Sequence, residues 1–141
     1  MDTLVYSAST FIIPINVAAM NNKYILMNMY ILLTLASWAH HAVTHELSCL
    51  RRTECITRYN VIDVTMCYVA ITYGLVYSVF FVPRLYFLIH CVCTLSAMYN
   101  CIRVQGNKYY YERGIKNWKR HTHHVLMHVS ACAGFTVLSL A

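Results

Sequence analysis

The sequence predicts an all-α polytopic membrane bundle of about five transmembrane helices, forming a single transmembrane domain over 1–141. Three observations carry this reading. Hydrophobic residues make up 59% of the 141 positions and charged residues only 11%, where a soluble domain carries about a quarter of its residues as charges. Mean hydropathy is +0.48. The apolar residues also fall into five runs, about 5–20, 24–43, 61–82, 85–102 and 123–141, each near the ~17 to 25 residues that a spanning helix needs. In lipid the backbone must satisfy its own hydrogen bonds, so such runs are read as helices.

The first run, Val5 to Met20, holds Pro14 and Asn16. It is expected to be a span or a re-entrant segment, kinked where Pro14 lacks an N–H and frees a carbonyl that a neighbour must satisfy. No basic region precedes an apolar core and a cleavage site, so a cleaved signal peptide is not expected. Asn21-Asn22-Lys23 is a tight turn that makes the first two runs antiparallel neighbours. Tyr24 to Val43 reads as the clearest span and ends in Ser37-Trp38-Ala39-His40-His41. The third run, Asn60 to Val82, contains Asp63, the one acidic residue inside a membrane run. Val82-Pro83-Arg84 turns the chain into the fourth run, which carries His90, Cys91, Cys93, Ser96 and Asn100. A basic loop from Arg103 to Thr122, with Tyr109-Tyr110-Tyr111, leads into the last run through His121, His123, His124 and His128.

The net charge of +6 is explained by sidedness. With five spans, Arg51, Arg52, Arg58, Arg103, Lys108, Arg113, Lys116, Lys119 and Arg120 lie on one side, nine basic residues against Lys23 and Arg84 on the other. The positive-inside rule makes that side cytoplasmic and places the N-terminus inside. Anionic headgroups of membrane lipids are the expected partners of such loops. Nucleic acid is not expected as a partner. The seven cysteines form no repeating CxxC pair, and a disulfide between Cys49 and Cys55 is not expected in a reducing compartment.

The topology brings polar groups to one depth. The second span leaves the membrane just after Ser37 and His41, the third enters just before Asp63, and the fifth enters through His124 and His128. Ser37 and His41 are four residues apart and share a helix face, as do His124 and His128. Each has a plain reading: His40 and His41 meet the negative pole of their helix, and Asp63 is an interfacial helix-start residue. The set as a whole suits Zn2+, since three imidazoles with an open fourth position make a catalytic type of site whose water ionises near pH ~7. Asp63 is then the candidate catalytic base that orients or deprotonates water, and Ser37 a hydrogen-bond donor to water or an oxyanion. His90 lies toward the opposite side and reads as a packed histidine. His121 and His123 read as interfacial and dispensable.

Ser37-x-x-x-His41, a later Asp63 and His124-x-x-x-His128 at the start of the last helix together resemble the seven-span membrane hydrolase superfamily of alkaline ceramidases and adiponectin and progestin receptors. That resemblance implies zinc ligands His41, His124 and His128, with Ser37 and Asp63 beside the zinc-bound water, and cleavage of lipid amides. Ile13-Pro14, Ala18-Ala19, Tyr30, Ala39-His40-His41-Ala42 and Arg58-Tyr59-Asn60-Val61-Ile62-Asp63 are similar to the myomaker-like branch, whose best-known member promotes fusion of muscle precursors. The likeness covers about 12–82 and 121–135. The chain has room for five spans where seven are expected, the missing pair falling between the third and the last. This implies a site open on one side or closed by a homo-oligomer. An N-terminus inside matches the adiponectin receptor and is opposite to the myomaker and ceramidase branches.

Two function classes follow. One is metal-dependent hydrolysis of a lipid amide or ester, the substrate entering laterally from the bilayer. The other is a non-catalytic membrane-remodelling, fusion or assembly protein in which zinc holds helices together. A small channel subunit is a third, resting only on polar residues within spans.

Overall fold

The computed structural model describes residues 7–48, 53–106 and 118–141. They form α1 (Ile12–Met20), α2 (Tyr24–Ser48), α3 (Thr53–Phe81), α4 (Arg84–Gly106) and α5 (Trp118–Leu140), with no strand among the described residues. The basic residues Arg51, Arg52, Lys108, Arg113 and Lys116, the tyrosines 109–111 and Cys49 lie outside the described residues. So do the side chains of Cys55, Lys119 and Arg120.

Burial is reversed relative to a soluble domain. Ser7, Thr34, Ser37, His41, Asp63, Ser78, His90, Thr94, Asn100, His128 and Ser139 are buried, while Phe80, Leu85, Val92, Leu95 and Ile102 stand at least 65% exposed. Water would penalise so much exposed apolar area, whereas lipid does not. Arg58–Phe81, Arg84–Val104 and His121–Leu140 are each long and apolar enough to cross a membrane, and Ser7–Met20 is a shorter apolar helix. At 25 residues α2 has the length of a span, but Asn28, Thr34, Ser37, His40 and His41 dilute its apolar character. The chain is thus a multi-pass integral membrane protein. Its helices run past the apolar segments: α2 continues to Ser48 and α3 begins at Thr53. No proline or glycine interrupts either extension, so neither of the two strongest helix breakers stops the helix there.

Pro14 acts at the entry of α1. Its missing N–H leaves the Thr10 carbonyl without the usual partner four residues on. That oxygen instead accepts from the Ile13 N–H at 3.1 Å and from the Cys132 thiol at 3.2 Å, tying α1 to α5. At the other end of α1, Asn22 adopts φ 57°, which asparagine tolerates. The Lys23 and Asn22 N–H groups then close on the Ala18 and Ala19 carbonyls at 2.8 and 3.1 Å, in the manner of a C-terminal cap. The same turn reaches α5: Asn21 Nδ2 donates to the Ser139 carbonyl and Lys23 Nζ to the Leu138 carbonyl, both at 3.0 Å. A cation at the exposed carbonyls of a helix end is favourable, and burial draws the Lys23 ammonium below its ordinary pKa.

The core lies between α1, α2 and α5, where Phe11, Leu26, Tyr30, Leu33, Phe135 and Leu138 pack together. The Tyr30 and Phe135 rings are 4.8 Å apart, and the Tyr30 hydroxyl donates to the Phe135 carbonyl at 3.3 Å. On the far side of α5, small residues admit His90 of α4. A Cβ on Gly134 would lie 3.0 Å from Cys93 Cβ and 3.3 Å from His90 Nδ1; one on Gly74 of α3 would lie 3.1 Å from Leu138 Cδ1 and 3.3 Å from His90 Nε2. Close helix approach over small residues is the ordinary means of packing in membranes.

This gives a substitution whose sign is decisive. Gly134→Ala gains about 1 kcal/mol in helix propensity but overpacks α4 against α5 at a cost of about 1–3 kcal/mol. A lower thermal unfolding midpoint in detergent is expected. A raised midpoint would show that the two helices are not in such close contact.

Candidate metal centre

Three helices supply the site. On α2, Ser37 and His41 lie one turn apart on a face turned into the bundle, and both are buried. On α5, His124 and His128 lie one turn apart near the start of the helix, His128 being buried. On α3, Asp63 is 8% exposed, a depth at which a carboxylate is costly without partners.

The structure brings His41, His124 and His128 together: one ligand-capable atom from each lies within 4.8 Å of the others. The ring centroids of His41 are 5.0 Å from His124 and 5.5 Å from His128, and those of His124 and His128 are 4.9 Å apart. In a second set, His40, His41 and Asp63, one ligand-capable atom from each again lies within 4.8 Å of the others, and His41 is common to both sets. The result is one contiguous group of four imidazoles and a carboxylate.

Neighbouring groups fix the orientation of two of these side chains. Ser7 Oγ lies 3.0 Å from His128 Nδ1, which commits that nitrogen and leaves Nε2 as the atom available to a metal. His40 Nδ1 donates to Asp63 Oδ2 at 2.8 Å. Ser37 Oγ and Asp63 Oδ1 are buried and make no hydrogen bond. Buried polar atoms are ordinarily satisfied, so each of these two atoms is one that a ligand, ion or water would satisfy. Three imidazoles with an adjacent carboxylate fit a divalent metal of the zinc type, and the second carboxylate oxygen and the serine hydroxyl fit its surroundings.

Of the five residues singled out from the sequence, His41, His124 and His128 form the imidazole set. Asp63 borders it through the set it shares with His40 and His41, and Ser37 sits one turn below His41. Sequence reasoning missed His40 and Ser7. The doubled histidine was the available signal for His40. For Ser7 there was none, because its contact spans 121 positions. His123, read as interfacial and dispensable, is instead engaged: its Nδ1 donates to Asn100 Oδ1 at 2.8 Å, and its ring stands edge-on to Tyr99. The buried Asn100 on α4 needs that partner, and the first turns of α5 deliver it. His90 stays outside the cluster, with Nδ1 donating to the Gly134 carbonyl at 3.1 Å.

Purified protein is expected to carry a divalent metal that a His124/His128 double alanine variant lacks, read by elemental analysis. Equal metal content in the two would remove the site. Ser7→Ala should keep the metal but bind it about 10–100-fold more weakly, measured by competition with a chelator.

No protein-family model matches the chain, and neither a curated protein nor a solved structure is significantly similar to it.

Proposed function

We propose that this protein is a zinc-dependent hydrolase of lipid amide or ester bonds working within the membrane. In this reading it is a shortened relative of the seven-span superfamily of alkaline ceramidases and adiponectin and progestin receptors, with a first half that resembles the myomaker-like branch. One observation carries the proposal: imidazoles from α2 and α5 converge within metal-binding distance beside a buried carboxylate from α3. His41, His124 and His128 would hold the ion. Zinc in such a place supplies Lewis acidity, polarising a carbonyl and acidifying water toward neutral pH.

The chain's own groups do the rest. Asp63 is held through Oδ2 by His40, so Oδ1 is the atom that takes a proton from the attacking water and returns it to the leaving amine or alkoxide. Ser37 Oγ, buried and without a hydrogen bond, donates to the oxygen that gains negative charge as water adds to the carbonyl carbon. Low polarity around these groups strengthens each such interaction. Exposed apolar side chains on α3 and α4 suit entry of the substrate from the lipid rather than from water. The side left open by the shorter helix count is closed, in this reading, by lipid or by a second copy of the chain.

The test is release of fatty acid from a ceramide panel by the detergent-solubilised, zinc-loaded protein. Turnover is expected, lost on His128→Ala and reduced about 100-fold or more on Asp63→Asn. Bound zinc with no turnover would overturn the hydrolase reading.

The same cluster links α2 to α5 and, through His40 and Asp63, α2 to α3. That favours as second reading a membrane-remodelling or fusion protein with a structural zinc. It predicts that His41→Ala lowers the folded yield while Asp63→Ala leaves function intact.

A further inference from the structure

We propose that His40 is a positioning residue: it grips one oxygen of the Asp63 carboxylate so that the other, Oδ1, is held toward the metal set. This rests on the metal reading above, and it assigns His40 a role outside the coordination sphere.

The geometry has three parts. His40 Nδ1 lies 2.8 Å from Asp63 Oδ2, within the range of a charge-assisted hydrogen bond. Asp63 Oδ1 is buried without a hydrogen bond, so the carboxylate is anchored at one end and unengaged at the other. The His40 and His41 rings stack with centroids 4.9 Å apart and an interplanar angle of 23°, so the anchor is registered against a member of the imidazole set. A carboxylate turns easily about its last torsion, which is broad and two-fold. Without a fixed donor, Oδ1 and Oδ2 would exchange places and the proton acceptor would have no set position. Misplacement on the order of 1 Å can cost about 100-fold in rate.

His40 could instead be a ligand of its own set with His41 and Asp63. The chemistry opposes this. With Nδ1 committed to Asp63, His40 offers only Nε2. His41 completes the three-imidazole set with His124 and His128, and without it the other set keeps two members, fewer than the three protein ligands of a catalytic zinc site.

The two roles separate experimentally. The full chain in detergent is loaded with Co2+, and the visible ligand-field spectrum is recorded for wild type, His40→Ala, His40→Asn and Asp63→Asn. The asparagine amide nitrogen takes the place of Nδ1. Expected are near-stoichiometric Co2+ in all four, a changed spectrum common to His40→Ala and Asp63→Asn, and a wild-type spectrum for His40→Asn. A wild-type spectrum for His40→Ala beside a changed one for Asp63→Asn overturns the positioning role. Loss of Co2+ in His40→Ala, as deep as in His128→Ala, makes His40 a ligand and overturns it also. Should His40→Ala fail to fold, His40→Gln fills the space while moving the donor off the Nδ1 position. A double-mutant cycle on unfolding in chelator tests the pair without metal: non-additive effects of His40→Ala and Asp63→Asn support it, and additivity overturns it. Wild type that binds no Co2+ overturns the metal reading and the role of His40 toward the metal, while the cycle still decides whether the pair exists.

Discussion

Everything in this fold depends on the absence of water around the helices. A polar side chain carried into lipid must find its partner within the protein, and most do so locally or across one interface. Thr34 donates to the Tyr30 carbonyl, Ser139 to the Phe135 carbonyl, and Ser96 meets Ser130. Against that background, Ser37 Oγ and Asp63 Oδ1, buried without hydrogen bonds, stand out. They lie beside imidazoles drawn from two chain segments far apart in sequence. The same rule that makes the rest of the bundle self-contained therefore singles out one locality as incomplete.

The bundle has two polar zones with different purposes. Along the contact of α4 with α5, His123 with Asn100, Ser130 with Ser96, and Gly134 with His90 form successive pairs. Each pair is closed, and glycine at 134 lets the last one approach. Between α2, α3 and α5 the polar groups are more numerous, carry charge, and are tied to one another by His40 and Ser7. The first zone fixes how two helices pack. The second is suited to chemistry, because Ser7 and His40 each hold one atom of a member, His128 Nδ1 and Asp63 Oδ2, and leave another atom of it for a ligand.

Much of this was legible in the residues. Composition and run length gave the helical membrane class, and the four-residue spacings of Ser37 with His41 and of His124 with His128 gave faces. Chain direction gave a common level for the two faces and Asp63. Pro14 announced a freed carbonyl, and Thr10 has one, though that Cys132 would answer it was not readable. What stayed hidden was of two kinds. The helices α2 and α3 run beyond their apolar runs because no proline or glycine stops them there, a continuation that hydropathy alone does not register. Side-chain partnerships across long separations, such as Ser7 with His128, leave no local pattern. The run from Tyr24 to Val43 lies within α2, which has the length of a span, and Ser37, His40 and His41 are what make its later turns polar.

The N-terminal segment and the last helix are closely tied. Ser7 touches His128, Cys132 answers Thr10, Ser139 reaches Pro14, and the turn at Asn21 to Lys23 holds the end of α5. These partners stand 115 to 125 positions apart, so none of the contacts can form until the three helices between them have been laid down. The helix that clasps the N-terminal segment is also the one that brings His124 and His128 to His41. Closing the bundle and assembling the imidazole set are therefore one event.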